Sequence, residues 1–110
     1  MSEERIEIEE SSGNVFEDLG LPNAEEELAK AQLGTIIREA IRSRGLTQAQ
    51  AAALMGETQP NVSLIVGGKL GRFSLERLMR LTAALGKDIR LMVTDAPVGK
   101  ERGQLIVNAS

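Results

Sequence analysis

Two short helical segments separated by a glycine constrain the fold of this chain more than any other feature of its 110 residues. The first segment is predicted to begin at Thr47, which Gln50 follows at the spacing of a capping box. Gly56 then supplies the left-handed backbone that a tight turn requires and that other residues avoid. The second segment begins near Thr58 and carries Pro60 early enough that its missing N–H costs little. The sequence therefore predicts two short helices that cross close to the turn.

The side chains around this turn suit a close helix crossing. Ala52 is small enough to lie where the two helices meet. Val62 and Ile65 are three residues apart and therefore share one face of the second helix. Ala51 and Met55 supply the matching face of the first helix. The remaining side of the second helix is left facing outward, with Gln59, Asn61, Ser63 and Leu64.

Longer helices are predicted on both sides of this pair. Asn23 is a good N-cap for a helix that stops at Gly45. Gly34 lies inside it and costs roughly 1 kcal/mol relative to alanine, so the segment is either one long helix or two pieces. A further helix is predicted over residues 74–86, and the alternation of residues 89–93 is typical of a strand.

A lone strand over residues 89–93 leaves unpaired edges and needs a mate. One candidate is residues 6–8, where isoleucine alternates with glutamate in the same chain. The other is the same strand of a second subunit, which gives an isologous dimer. We favour the second pairing, and the sequence therefore predicts a homodimer.

The residue types exclude several classes of site. Aromatic residues make up 2% of the chain, so the core must be aliphatic, which favours packed helices over a β-sandwich. The chain has no cysteine and no histidine, and so lacks thiolate metal ligands and the commonest general base. We therefore expect no enzyme, no metal site and no cofactor. The acidic N-terminus resembles no signal peptide and no apolar run is long enough for a membrane helix, so a cytoplasmic protein is expected.

Charge divides the chain into regions of opposite sign. Residues 1–33 carry ten acids against two bases, whereas residues 34–94 carry nine bases against four acids. We take residues 1–22 as an acidic arm, residues 23–94 as the folded domain and residues 95–110 as a flexible tail. Within the arm, one helical turn is predicted over residues 14–20. The arm is either a partner-binding segment or a disordered, solvating one.

The motif around the turn resembles a known family. It reads LTQAQAA at residues 46–52, then Gly56, TQPNVS at residues 58–63 and Gly68-Lys69. This pattern is similar to the Xre/Cro/cI family of helix-turn-helix regulators. Residues 9–21, EESSGNVFEDLGL, are similar to the opening of the HigA-like antitoxins within that family. The resemblance covers about residues 6–93. It implies an all-α, five-helix-type, lambda-repressor-like domain with a short C-terminal β-strand.

The resemblance also implies a function and a site. Family members bind palindromic operators in double-stranded DNA as homodimers and repress their own operon. In antitoxin members a ribonuclease-type toxin is the second partner. Glutamine and asparagine can each make paired hydrogen bonds to adenine, and helix N-termini donate N–H groups to phosphate. The implied base contacts are Gln59, Pro60, Asn61, Ser63 and Leu64, and the implied phosphate contacts are Gln48, Thr58, Lys69 and Arg72.

Two residues depart from the family pattern. Glu57 stands in the turn, where a carboxylate near phosphates weakens binding unless it pairs with a basic side chain. Leu64 stands where a polar or basic side chain is common, and it either contacts a thymine methyl group or makes no contact. Glu57 and the overall acidity leave an alternative open. In it, the chain is a protein-interaction module that kept the fold without strong DNA binding.

Overall fold

The computed structural model describes residues 23–109, which form four α-helices. In chain order they are α1 (Asn23–Ser43), α2 (Gln48–Met55), α3 (Gln59–Val66) and α4 (Leu75–Ala84). The long α1 packs against α3 and α4, while α2 packs against α3 and touches α4. The expected all-α class is confirmed for this part of the chain, and α2 and α3 are the predicted short pair.

Local hydrogen bonds determine where the short helices begin and end. The Thr47 hydroxyl accepts a bond from the Gln50 N–H at 3.1 Å, and the Gln50 side chain accepts one from the Thr47 N–H at 2.9 Å. The predicted capping box of α2 is therefore confirmed. Gly56 ends α2 with φ 66° and ψ 33°, the left-handed conformation expected there. Thr58 and Ser74 cap α3 and α4 with their hydroxyls, which accept from the N–H groups of Asn61 and Arg77.

The core is aliphatic apart from one ring. Phe73 lies in the loop before α4, and its exposed fraction is 1%. The other buried apolar side chains come from all four helices, the loop after α3 and the residue after α4: Ala29, Leu33, Ile37, Ala40, Ile41, Ala51, Ala52, Met55, Val62, Ile65, Leu70, Leu75, Leu78, Met79, Leu81 and Leu85. They include Ala51, Ala52, Met55, Val62 and Ile65, the residues predicted to form the α2–α3 crossing.

Gly34 is explained by a close approach between α1 and the loop that follows α3. A Cβ atom at position 34 would lie 3.0 Å from Cδ1 of Leu70. The helix continues through Gly34 without a break. Packing on both sides therefore outweighs the roughly 1 kcal/mol cost of glycine in a helix.

The expectation of five helices is wrong for the described residues, which hold four. Gly34 does not divide α1 into two helices, because the buried face of α1 continues on both sides of it. The helical turn expected at residues 14–20 lies outside the described residues.

The expected strand is also wrong for this part of the chain, since residues 89–93 have no regular secondary structure. A strand exists only within a hydrogen-bonded ladder, and residues 23–109 form no ladder. The proposed mate at residues 6–8 lies outside the described residues. The alternating pattern alone therefore does not produce a strand.

The C-terminal segment returns to the helices instead of leaving them. Leu105 and Val107 are half-buried against the core. The Leu105 N–H donates to the carboxylate of Glu25 in the first turn of α1, and Nη1 of Arg102 lies 3.8 Å from the same carboxylate. Residues 87–91 and 105–109 together line a cavity of about 370 Å³ beside α1 and α4. Part of the segment expected to be a flexible tail thus contacts α1.

None of the helices in residues 23–109 is both long and apolar enough to cross a bilayer. The same residues contain no cluster of three or more carboxylates that could hold a metal ion.

Candidate nucleic-acid interface

The first turn of α3 lies at the centre of the predicted base-reading surface. Thr58 caps this helix, and its hydroxyl accepts a hydrogen bond from the Asn61 N–H at 3.3 Å. The opposite face is anchored by Val62 and Ile65, whose exposed fractions are 0% and 1%. Burial of that stripe leaves the other side of the helix outward. Gln59, Pro60 and Ser63 are exposed there, whereas Asn61 and Leu64 are half-buried.

The predicted phosphate contacts surround this turn. Thr58, Lys69 and Arg72 are exposed, and Gln48 is half-buried as the first residue of α2. Lys69 follows α3 closely, because its N–H donates to the carbonyl of Leu64 at 2.9 Å. The first residues of α2 and α3 lack helical acceptors for their N–H groups, which favours an anion there.

Leu64 packs partly against the core. Its side chain is half-buried, so only part of it faces outward. The departure from the polar residue common at this position therefore has a packing reason.

Glu57 pairs with Arg77 of α4. Both the Nε and the Nη2 of Arg77 donate to Oε2 of Glu57, at 2.8 and 2.5 Å. Oε1 of Glu57 accepts from the side-chain amide of Asn61 at 2.9 Å. Only 6% of the Glu57 side chain is exposed. The carboxylate in the turn is thus neutralised by a basic side chain, so it need not weaken binding to phosphates.

The environment of Glu57 favours its ionised form. Burial raises the pKa of Glu57, but the hydrogen bonds from Asn61 and Arg77 lower it. The charge of Arg77 and the backbone N–H of Thr58 act in the same direction. The pKa therefore lies below its ordinary value of 4.5.

Asn61 connects this ion pair to the loop after α3. Its Nδ2 donates to Glu57, and its Oδ1 accepts from Nη1 of Arg72 at a longer distance of 3.4 Å. A predicted base contact and a predicted phosphate contact are therefore in contact with each other. The chain of polar contacts runs from α4 through the turn to the loop.

Arg77 was not among the predicted site residues. Its guanidinium lies 5.1 Å from the ring centroid of Phe73, a cation–π distance that helps to fix its position. Glu57 and Arg77 are twenty residues apart, so helical spacing gives no hint of the pair. The available signal was Glu57 itself, since a carboxylate in that turn requires a cation from elsewhere in the fold.

Comparison with known proteins bears on this geometry. Residues 15–94 match a family described as a helix-turn-helix domain. A solved structure described as an XRE-family transcriptional regulator is 37% identical, with a TM-score of 0.76. The match covers 81% of this chain and 100% of the other. The chain belongs to the XRE helix-turn-helix family. None of the curated proteins matches it.

Membership of the XRE family confirms the resemblance in the residues around Gly56. The turn of this XRE-family protein contains Gly56 and Glu57 and connects α2 to α3. The narrower likeness to HigA-like antitoxins, which depends on residues 9–21, stays a prediction.

Proposed function

We propose that this XRE-family protein is a sequence-specific DNA-binding regulator that represses transcription of its own operon. The observation that carries the proposal is the division of α3 into two faces. Val62 and Ile65 are fully buried, while Gln59 and Ser63 are exposed beside the capped N-terminus. Placing the N-terminal residues of the second helix over base edges is the usual docking of this motif.

The electrostatics around α3 support the same function. Lys69 and Arg72 are exposed next to the helix, where they suit the phosphate backbone. Glu57 is paired with Arg77, so its charge does not oppose those phosphates. The alternative of an interaction module without strong DNA binding depended partly on Glu57, and this pairing removes that argument.

The proposed site keeps the two predicted sets of contacts. Gln59 and Ser63 have exposed polar groups at the reading end of α3, whereas Pro60 offers only an apolar surface. Contacts to phosphate position the protein, and contacts to base edges select the sequence. The base set is Gln59, Pro60, Asn61, Ser63 and Leu64, and the phosphate set is Gln48, Thr58, Lys69 and Arg72.

Selection from random duplex DNA, followed by binding assays on the DNA upstream of the gene, tests this function. Gln59→Ala is expected to relax specificity at one base position by about 1–3 kcal/mol. Lys69→Ala is expected to weaken all sequences alike and to reduce the salt slope by about one. Lys87→Ala, an exposed lysine after α4, is the matched control and should change neither. A wild-type protein without sequence preference at modest salt contradicts the proposal.

The proposal includes a homodimer on a palindromic operator, with half-sites about 34 Å apart. Support comes from the exposed apolar side chains of Ile89, Met92 and Val93, in a segment without a strand partner within residues 23–109. Val93→Lys should give a monomer by light scattering, whereas Val98→Lys in the tail should not. A wild-type monomer at all concentrations contradicts this part.

A repressor acts where the chromosome is, in the cytoplasm.

A toxin partner is the finer part of the proposal. It is supported by the likeness of residues 9–21 to antitoxins and by the acidity of residues 1–33, which suits a basic protein. The product of a neighbouring gene, if it is a small basic ribonuclease-type protein, should bind the full chain in a purified mixture. Deleting residues 1–22 should weaken that complex without changing operator binding. Equal binding by the shortened chain rules out the arm as the contact.

A further inference from the structure

The Glu57 carboxylate is surrounded by donors, and this fixes the orientation of Asn61. Arg77 donates twice to Oε2, and Asn61 donates to Oε1 at 2.9 Å. An ionised carboxylate has no hydrogen to give, so Asn61 can meet it only with its Nδ2. The 6% exposure of the Glu57 side chain leaves little room for water to replace that contact.

The other side of the Asn61 amide agrees with this orientation. Its Oδ1 faces the Arg72 guanidinium, which can donate hydrogen bonds but cannot accept them. A reversed amide would place donor against donor at Arg72 and acceptor against acceptor at Glu57. The carbonyl oxygen of Asn61 therefore faces the loop after α3 that carries the exposed Arg72.

We propose that Glu57 sets the hydrogen-bond polarity of Asn61, so that Asn61 meets DNA as an acceptor and selects a base with an amino group in the major groove. The inference rests on the proposed DNA-binding function and specifies the chemistry that the site recognises. In the major groove only adenine N6 and cytosine N4 carry such amino groups. Guanine O6 and thymine O4 are acceptors, so neither can form a hydrogen bond with the Asn61 carbonyl.

This polarity differs from the paired recognition of adenine expected from sequence. That mode uses one amide hydrogen and the carbonyl of one asparagine together. Glu57 holds the Nδ2 end of the Asn61 amide toward the turn, although that nitrogen keeps a second hydrogen. The carbonyl is the end turned toward Arg72, and it retains a second lone pair there. Glu57 is thus a positioning residue, and Asn61 is the group that touches the base.

A single substitution inverts the predicted polarity. In Glu57→Gln, the donor-only Arg77 requires the carbonyl of the new amide, so the NH₂ group turns to Asn61. Asn61 must then present Oδ1 to position 57 and its NH₂ group to the DNA, and the exposed Arg72 gives up its contact with Asn61. An outward donor fits the acceptors of guanine and thymine and rejects cytosine. Cytosine against guanine is the clearest comparison, because adenine carries both an acceptor and a donor.

The experiment is selection from one random duplex library with four full-length proteins. Asn61→Ala should lose the preference at one position, which identifies the base pair concerned. The wild type should prefer cytosine or adenine there by roughly five- to tenfold, the size expected of one hydrogen bond. Glu57→Gln should shift that position to guanine or thymine and leave the other positions unchanged. Glu39→Gln, the same change in the exposed pair with Arg42, is the matched control and should match the wild type.

Three results overturn the inference while leaving the proposed function intact. They are a wild-type preference for guanine or thymine at that position, no position affected by Asn61→Ala, and a Glu57→Gln protein with unchanged base preference. A wild type without any sequence preference overturns the proposed function and the inference together.

A measurement on the wild type covers the case in which Glu57→Gln does not fold. The side-chain amide of Asn61, assigned by its loss in Asn61→Ala, should show one strongly downfield, slowly exchanging proton by NMR, because it bonds a buried carboxylate. An Asn61 amide that exchanges like a free one overturns the inference.

Discussion

Residues 47–66 and residues 85–109 are held in place by different kinds of interaction. In the first region, side chains bond to backbone groups three residues away, as at Thr47 and Thr58. In the second, the contacts include one short turn at residues 97–100 and the bond from the Leu105 N–H to Glu25 on α1. The conformation of residues 47–66 is therefore determined by residues close in the sequence, whereas the position of residues 85–109 depends on residues far away in the sequence.

The largest expected effect comes from removing the ring that supports the motif. Phe73→Ala should lower the free energy of unfolding by about 3–5 kcal/mol, because it leaves a cavity in the core. Urea denaturation followed by circular dichroism measures it. A loss below about 1 kcal/mol would mean that the core closes around the gap, and the contrast between the two regions would weaken.

Arg77→Met should have the next largest effect. It leaves the buried carboxylate of Glu57 without its cation, and a loss of about 2–3 kcal/mol is expected, less than for a fully buried pair since Arg77 is 36% exposed. The double variant Glu57→Gln with Arg77→Met should regain part of that loss. A double-mutant cycle by urea denaturation checks the coupling, and purely additive losses contradict it.

Thr47→Ala tests local specification directly. Loss of the capping box of α2 should cost about 1 kcal/mol of unfolding free energy. Thr35→Ala is a suitable control, because Thr35 is exposed within α1 and bonds only its own helix. Equal effects of the two substitutions in thermal unfolding would show that the cap does not matter.

Leu105→Ala tests the distant attachment of the C-terminal segment. The side chain is half-buried, so a loss of less than about 1 kcal/mol is expected. Amide exchange should increase in residues 97–109 and stay unchanged in residues 47–66. Faster exchange in both regions would show that the two are one cooperative unit.

The smallest effect is that of pH on the Glu57 pair. Its pKa in the folded protein lies below the ordinary 4.5, so the pair stabilises the fold fully above that value. This stability is lost as the pH falls through the folded-state pKa. The stability difference between the wild type and Glu57→Gln should therefore shrink in urea denaturation series taken to acidic pH. A constant difference contradicts the assignment, and Glu39→Gln serves as the exposed control.

These differences explain what sequence reasoning could predict. The capping box at Thr47, the left-handed Gly56 and the buried stripe of Val62 and Ile65 depend on residues close together in the chain, and all were predicted. The reading face follows from that stripe, because the side opposite a buried face must point outward.

The remaining features depend on partners that periodicity does not identify. Glu57 indicates the need for a cation but does not indicate which arginine of the basic segment supplies it. The alternation of residues 89–93 predicts a strand but does not decide between its two candidate mates, and no strand forms in residues 23–109. From sequence alone Gly34 indicates a possible break in the helix, because its contact with Leu70 joins residues far apart in the chain and is not visible there.

The bond between Leu105 and Glu25 has a kinetic consequence. It joins residues 80 positions apart, so the ends of a long loop must meet before it forms. The helices α1 to α4 can assemble without it, which makes it a late event in folding. Trimming the chain before residue 102 should therefore accelerate unfolding and leave the refolding rate nearly unchanged. The segment would then set how long the folded regulator lasts, while the motif sets how quickly it forms.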